Sequence, residues 1–142
     1  MAHFKPAVFG FAEQDRNENI ALKKLVSKQP IAISMYAVGM LAKYSGGILT
    51  EDFIHCSAQR NEVNHGVTLV GYGKVKPGDR VRGKCKEYWI IRNSWGPDWG
   101  ESGTFRLCMD GPGDHDKPFG ICLVNKYAVI PNLDGTIIEP PE

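Results

Sequence analysis

The spacing of apolar residues changes from helical to extended close to residue 30. Residues 15–30, DRNENIALKKLVSKQP, place Leu22, Leu25 and Val26 on one face of a helix. Asp15 can cap this helix, with Glu18 completing a capping-box pattern, and Pro30 cannot continue it. The pattern therefore predicts one early helix within residues 15–30.

Beyond this helix the apolar runs are short and rich in β-branched and aromatic residues, which is typical of strands. We predict strands at 31–36, 67–72, 87–92, 103–109 and 121–130, with a turn and a short strand within 44–49. Segments rich in Gly and Pro predict loops at 73–84, 93–102 and 110–120, and we expect a loose tail at 132–142. The fold class is then α+β: one early helix and an antiparallel, barrel-like sheet, with no domain boundary in residues 1–142.

Composition limits the kinds of partner. The chain has 17 basic and 16 acidic residues, so its overall charge indicates neither a nucleic acid nor a membrane surface as partner. Its apolar runs are far shorter than the roughly 18 residues of a membrane span. Residues 1–15 show no signal-peptide pattern, so we expect any targeting segment to lie outside this chain.

Four widely spaced cysteines favour disulfides, and four cysteines allow three connectivities. A zinc site is less favoured, because structural zinc ligands usually come in close pairs such as C-x-x-C. Disulfides would in turn indicate an oxidising compartment. The cysteines are Cys56, Cys85, Cys108 and Cys122.

The predicted hairpin offers a pairing for these cysteines. If the strands at 87–92 and 103–109 turn near Gly96, opposed residue numbers add to about 193, which places Cys85 opposite Cys108. Opposed residues in a sheet have Cβ atoms about 4.5–5.5 Å apart, so a disulfide there needs only a modest adjustment. Cys56 and Cys122 would remain as the second pair.

Candidate chemistry is concentrated in NEVNHGVTLVGYG (61–73) and YWIIRNSWGPDWG (88–100). His65 precedes one strand, and Asn93, Trp95 and Trp99 follow another. Taken singly, a histidine is most often structural, an asparagine a turn residue, and a tryptophan part of a core. Together they change the interpretation, because His65 and Asn93 emerge at strand ends and could meet.

The order of three motifs resembles the C-terminal half of papain-like cysteine peptidases, the group that includes the lysosomal cathepsins. The motifs are VNHGVTLVGYG, YWIIRNSWGPDWGESGTFRL and FGICLVNKYAVIP, and the resemblance extends from residue 7 to about 131. It implies the right-hand, mainly β domain of a peptidase that uses no cofactor and no metal. Residues 1–142 would then be the C-terminal part of one peptidase domain.

The resemblance implies His65 as the catalytic imidazole and Asn93 as the residue that orients it. It also implies Trp95 as the indole that shields their hydrogen bond from water. An imidazole beside a cysteine takes the thiol proton and gives a thiolate–imidazolium pair, which is the nucleophilic form.

Substrate-binding positions follow from the same resemblance. It places the main specificity pocket at Ser34, Val63, Gly66 and Tyr127, a substrate-binding carbonyl at Asn64, and the leaving-group side at Trp99. None of these residues is acidic. We therefore expect a preference for an apolar side chain at the second residue before the cut.

The cysteines match the family only in part. Cys56 and Cys122 match a family disulfide between a late strand and the loop before the histidine. The Cys85–Cys108 pair and the basic loop 73–84 are departures from the pattern of its better-known members.

The nucleophile of the resembled family is absent from this chain. It lies in a segment like C-G-[SA]-C-[WY], about 130–150 residues before the histidine. His65 has 64 residues before it, and the one cysteine among them, Cys56, lacks the flanking Gly and Trp and a helix start. We therefore expect the nucleophile in an N-terminal part outside this chain, and this chain alone to be inactive.

Partners and location follow as expectations. The expected partners are peptide or protein substrates, the missing N-terminal half and protein inhibitors, in the lysosome, the vacuole or outside the cell. The alternatives are a non-catalytic binding module of the papain fold or an inactive fragment, and, third, a metal-binding protein.

Overall fold

The computed structural model describes residues 5–10, 18–54, 63–109, 120–125 and 127–132. The helices are α1 (Glu18–Val26) and α2 (Glu51–Ile54), and 3-10 turns span Gly39–Lys43 and Ile121–Leu123. The strands are β1 (Lys5–Gly10), β2 (Ile31–Met35), β3 (Ile48–Leu49), β4 (His65–Lys74), β5 (Glu87–Arg92), β6 (Thr104–Cys108) and β7 (Tyr127–Asn132). The α+β class is confirmed.

One seven-stranded sheet, in the order β1-β7-β2-β4-β5-β6-β3, organises the described residues. Every pair is antiparallel except β3–β6, which is parallel. The predicted mainly antiparallel sheet is confirmed; it is not closed into a barrel, because β1 and β3 lie at its edges, and the parallel β3–β6 pair was not predicted. A parallel β3–β6 pair is possible because a long connection separates the two strands.

The predicted helix is present in a shorter form. Helix α1 ends at Val26, four residues before Pro30, and a turn follows in which the Ser27 hydroxyl donates to the Lys24 carbonyl at 2.7 Å. Leu22 and Val26 are buried, as the apolar spacing predicted. Asp15, the expected cap, lies outside the described residues.

One strand prediction required correction, and one strand was not predicted. Residues 121–123 are not extended but form a 3-10 turn, in which Cys122 and Leu123 have φ values of 58° and 63°. The strand begins only at Tyr127 and continues to Asn132. Strand β1 was not predicted, and it pairs along its whole length with β7.

The hydrophobic core lies under β2, β4, β5 and β6, against α1. Its largest fully buried side chains include Trp89 and Ile91 of β5, Phe105 and Leu107 of β6, and Leu69 of β4. These residues alternate along their strands, so one face of the sheet is apolar. Buried Val67 and Leu69 of β4 and Ile91 of β5 lie close to residues 65 and 93, so the core positions this end of the strand pair.

The predicted Cys85–Cys108 disulfide is present, but the register argument for it was wrong. Tyr88, not Cys85, pairs with Cys108 across β5 and β6. Cys85 precedes β5, and its Cα lies 5.9 Å from that of Cys108, within the usual range for a disulfide. Cys122 is also disulfide-bonded, whereas Cys56, its expected partner, lies outside the described residues.

A carboxylate network fixes the loop between β5 and β6. Glu101 accepts hydrogen bonds from the Arg106 guanidinium at 2.8 and 2.9 Å, from the Tyr44 hydroxyl at 3.2 Å and from the Gly47 N–H at 3.4 Å. Burial by itself would raise the pKa of Glu101, but Arg106 outweighs it and holds the pKa below its ordinary value of 4.5. Ionised Glu101 therefore stabilises the fold above about pH 4.5, and this contribution is lost as the pH falls through the lowered native pKa.

We expect Glu101→Gln to lower the free energy of unfolding at pH 7 by about 1–2 kcal/mol, because a neutral amide cannot replace the paired carboxylate. Urea unfolding measures this, with Asp98→Asn, at an exposed position of the same loop, as the control that should stay within about 0.5 kcal/mol. The difference between Glu101→Gln and the original chain should shrink as the pH is lowered toward 3. A difference of the same size at pH 3 would contradict the charge pairing.

Candidate active site

The register of β4 and β5 brings two predicted residues together. Thr68 pairs with Arg92 and Leu69 with Ile91. Continued past the strand ends, this register sets His65 across from Trp95, with Asn93 on the adjacent diagonal of the same sheet face. Diagonal neighbours lie within reach of long or aromatic side chains.

The imidazole of His65 is hydrogen-bonded to Asn93. The distance from His65 Nε2 to Asn93 Oδ1 is 2.7 Å. The backbone N–H of Ser94 donates to the same Asn93 atom at 2.8 Å, which identifies that atom as the amide oxygen. Because an amide oxygen only accepts, Nε2 carries the hydrogen, and Nδ1 is left as the basic nitrogen of the neutral ring.

Asn93 is held firmly by its surroundings. It is buried, and its backbone N–H donates to the Gly103 carbonyl at 2.9 Å. Its Nδ2 atom is buried and has no acceptor within the part of the chain that the structure describes. The Ser94 N–H and the buried surroundings keep the Asn93 oxygen in one position. The hydrogen bond to this oxygen therefore fixes the orientation of the His65 ring.

Trp95 covers the imidazole. The ring centroids of His65 and Trp95 are 5.1 Å apart with planes inclined at 31°, and 41% of Trp95 remains exposed. An apolar ring over the His65–Asn93 bond reduces access of water, and a hydrogen bond in a drier setting is electrostatically stronger. Trp95 therefore lies against the His65 ring and leaves part of its own indole exposed.

Trp99 packs between Trp95 and the core rings of Tyr44 and Phe105. Its ring meets that of Trp95 edge-on at 5.2 Å and packs on Tyr44 and Phe105, while its Nε1–H donates to the Leu41 carbonyl at 3.2 Å. Trp99 is therefore half-buried, and Trp95 is the more exposed of the two indoles.

Gly100 makes the backbone around this pair possible. Its φ is +62°, and a Cβ there would lie 2.6 Å from the Thr104 carbonyl oxygen and 3.0 Å from the Tyr44 ring. Only glycine fits such a position without displacing backbone. This accounts physically for the glycine that follows the second tryptophan of the motif.

Asn64, the residue before His65, is bound through its side chain to the backbone of Ala37. Its side-chain oxygen accepts from the Ala37 N–H at 2.7 Å, its amide donates to the Ala37 carbonyl at 3.2 Å, and its own N–H donates to Met35. The sequence suggested only a backbone role for Asn64, and this side-chain clasp was missed. Val63, just before it, is half-buried.

Two of the four predicted pocket residues, Ser34 and Gly66, line a cleft next to Asn93, whereas Val63 and Tyr127 are not among its lining residues. Ser34 pairs with Gly66 on one side and with Tyr127 on the other. A cleft of about 490 Å³ opens here, and a Cβ built on Gly66 would point into open space. The cleft is lined by Ala32, Ile33, Ser34, Gly66, Val67, Thr68, Arg92, Asn93 and Ser94.

Thr68 and Arg92 were not predicted as part of this cleft. Both follow from alternation, because Thr68 lies two residues after Gly66, and Arg92 pairs with Thr68. The alternation of residues along β4 is visible in the sequence, but the partner of Thr68 is known only from the register of β4 and β5. Of the nine described residues that line the cleft, Arg92 alone carries a formal charge.

No free thiol occurs in the part of the chain that the structure describes, where Cys85, Cys108 and Cys122 are all in disulfides. Among the same residues, no three His, Cys, Asp or Glu side chains are grouped closely enough to hold a metal ion. None of the described helices is long and apolar enough to span a membrane.

The family model and the similar proteins all indicate the same family. The family described as papain family cysteine protease matches residues 5–131. Vignain of Phaseolus vulgaris is 39% identical over 130 residues, covering 91% of this chain and 32% of its own length. The probable cysteine protease RD19D of Arabidopsis thaliana is 43% identical over 118 residues, covering 83% of this chain and 28% of its own length.

Solved structures agree with these sequences. The bromelain protease of Ananas comosus, solved in complex with the E64 inhibitor, superposes with a TM-score of 0.65 at 33% identity. The match covers 88% of this chain and 50% of the bromelain chain. The chain thus spans about a third of the length of its curated relatives and about half of the bromelain chain.

Proposed function

Because the chain belongs to the papain family of cysteine proteases, we propose that it supplies the imidazole and the orienting amide of a cysteine endopeptidase. The nucleophilic thiol comes from an N-terminal segment that precedes this chain. The 2.7 Å hydrogen bond between His65 Nε2 and Asn93 Oδ1 carries the proposal. It fixes the tautomer in which Nδ1 can take a proton from a sulfur.

The chemistry uses each ring nitrogen differently. Nδ1 of His65 removes the proton of the thiol, and the resulting thiolate attacks the scissile carbonyl. The imidazolium then returns the proton to the leaving amine, and water releases the acyl group in a second cycle. Asn93 keeps the ring plane fixed through Nε2, and because the amide is neutral it does not neutralise the imidazolium.

The cleft beside His65 is the proposed site for the substrate side chain two residues before the cut. Gly66 leaves space, and Ser34, Val63 and Tyr127 contribute no negative charge. Arg92 borders the same cleft and would repel a basic side chain. An apolar side chain is therefore favoured over a basic one, with Asn64 and Trp99 contacting substrate on either side of the cut.

Location and inhibition follow from the disulfide and the family. The Cys85–Cys108 bridge suits an oxidising compartment, so we place the protein in the vacuole, the lysosome or outside the cell. Bromelain has been solved with E64. We propose that the same compound blocks the complete peptidase, meaning this chain joined to the N-terminal part that carries the nucleophile.

We expect the complete peptidase to hydrolyse a fluorogenic peptide with Leu two residues before the cut at least about tenfold faster than the Arg counterpart. This chain alone should hydrolyse neither, because it lacks the thiolate. Initial rates of both forms on both peptides measure this, and E64-treated complete peptidase is the control.

Two results would count against the proposal. Hydrolysis by this chain alone would show that the nucleophile is not supplied from outside it. A complete protein that binds the peptides without cleaving them would instead identify a non-catalytic binding module.

A further inference from the structure

One carboxylate, that of Glu101, holds the tight turn between Trp99 and β6. Its two oxygens accept from the Arg106 guanidinium at 2.8 and 2.9 Å, which ties the turn to the middle of β6. The Glu101 N–H donates to the Thr104 carbonyl at 2.8 Å, and the Thr104 hydroxyl donates back to the Glu101 carbonyl at 2.8 Å. The side chain and the main chain of Glu101 therefore fix the same turn.

The first link from this turn to the candidate active site is a pair of backbone hydrogen bonds. Gly103, two residues after Glu101, donates its N–H to the Trp99 carbonyl at 2.7 Å. Its own carbonyl accepts from the Asn93 N–H at 2.9 Å. A shift of the turn would therefore move the backbone of Asn93, whose side-chain oxygen is the acceptor for the His65 ring.

The second link is a continuous series of ring contacts. The Tyr44 hydroxyl lies 3.2 Å from a Glu101 carboxylate oxygen, and the centroid of the Tyr44 ring lies 5.4 Å from that of Trp99. The ring of Trp99 contacts that of Trp95 at 5.2 Å, and Trp95 contacts the His65 imidazole at 5.1 Å. Packed rings transmit a displacement because protein interiors are dense and have low compressibility. Both links thus lead from Glu101 to His65.

The charge of Glu101 is needed to hold this arrangement. Arg106 pairs with Glu101 and, at 3.5 Å, with Asp79. Arg80 also lies close, because a Cβ built on Gly46 would be 2.7 Å from its Nη2 atom and 3.7 Å from Glu101. Arg106 holds the pKa of Glu101 below its ordinary value, so the carboxylate is ionised at neutral pH. A neutral amide would deprive the turn of its charge-assisted hydrogen bonds.

From these two links we propose that Glu101 is a positioning residue for His65, in addition to its part in stability. Glu101 is not among the described residues that line the cleft, so it acts through Asn93 and Trp95 rather than on substrate. By fixing the turn it holds the acceptor and the covering indole of the His65 ring together. The inference rests on the proposed function, because the rate can depend on Glu101 in this way only if His65 is the catalytic imidazole.

The first test is the steady-state kinetics of Glu101→Gln in the complete peptidase, on the Leu peptide at pH 7. We expect kcat to fall about tenfold and KM to stay within about twofold, because a misaimed imidazole slows the chemistry more than it weakens binding.

Ile31→Val is the matched control for this variant. Ile31 is fully buried, so the loss of a methyl group lowers stability, and its strand β2 is separated from β6 by β4 and β5. The kcat of this control should stay within about twofold of the original. A kcat of Glu101→Gln no lower than that of Ile31→Val would leave Glu101 with a stability role alone and overturn the proposal.

A spectroscopic measurement separates failure of this inference from failure of the proposed function. The Nε2–H proton of His65 is bonded to Asn93 and covered by Trp95. In the complete peptidase it should give a slowly exchanging downfield NMR signal, identified by its loss in His65→Ala. The signal should be retained in Ile31→Val, and lost through exchange with water in Glu101→Gln, because the cover over the ring opens locally.

The two failures give different results. No such signal in the original peptidase would contradict the pairing of His65 with Asn93, and the proposed function with it. A signal that is present in the original and exchanges equally slowly in Glu101→Gln would overturn the positioning role of Glu101 alone.

Discussion

His65→Ala in the complete peptidase is expected to lower kcat/KM for the Leu peptide by about 10⁴-fold or more. In the proposed mechanism the imidazole both generates the thiolate and protonates the leaving amine, so its loss would remove two steps at once. Its replacement also frees the Asn93 oxygen from the 2.7 Å bond. Initial-rate kinetics on the purified variant, with circular dichroism to establish folding, measure the effect.

Val70→Ala is the matched control for this substitution. Val70 lies on the same strand as His65, is exposed, and sits at the irregularity between Leu69 and Gly71. Its kcat/KM should stay within about twofold of the original, because the Val70 side chain is exposed and the irregularity concerns backbone pairing, which an alanine retains. Hydrolysis by the His65 variant at the rate of this control would remove His65 from the mechanism.

Asn93→Ala is expected to lower kcat by about 10²-fold, with a small change in KM, because a misaimed catalytic group costs rate more than binding. The His65 ring would keep its chemistry but lose the acceptor that fixes its plane and tautomer. Asn93→Asp keeps an oxygen at the same position and should recover much of the lost kcat. Equal kcat values for the Ala and Asp variants would show that Asn93 does not act through its oxygen.

Much of the architecture could be predicted from local pattern. The spacing of Leu22, Leu25 and Val26 predicted α1, and the β-branched run in EYWIIR predicted β5 with its observed bounds. The pairing of Cys85 with Cys108 was also correct. Such features depend on residues close in sequence or on the properties of one strand pair.

Features set by distant parts of the chain could not be predicted. Strand β1 is defined by β7, more than 100 residues later, and KPAVFG alone contains Pro and Gly. The turn at Ile121–Leu123 needs positive φ at two residues that are not glycine, which only tertiary packing imposes. Register likewise depends on loop geometry, which explains why Tyr88 rather than Cys85 pairs with Cys108.

The candidate site likewise has some features that local sequence predicts and others that depend on distant parts of the chain. That His65 and Asn93 meet could be predicted from two motifs, because both residues stand at the ends of strands. The contributions of Thr68 and Arg92 to the cleft, and the clasp of Asn64 on Ala37, depend on which strands are neighbours. They became visible only once the register of the sheet was known.

The pairing of His65 with a thiolate is tested most directly by the pH dependence of alkylation of the nucleophilic cysteine with iodoacetamide. In the complete peptidase, reaction should remain fast well below the ordinary thiol pKa of about 8.5, because the imidazolium stabilises the thiolate. In the His65→Ala variant the reaction should rise only near pH 8.5, as for an isolated thiol. The same pH profile in both proteins would contradict the account.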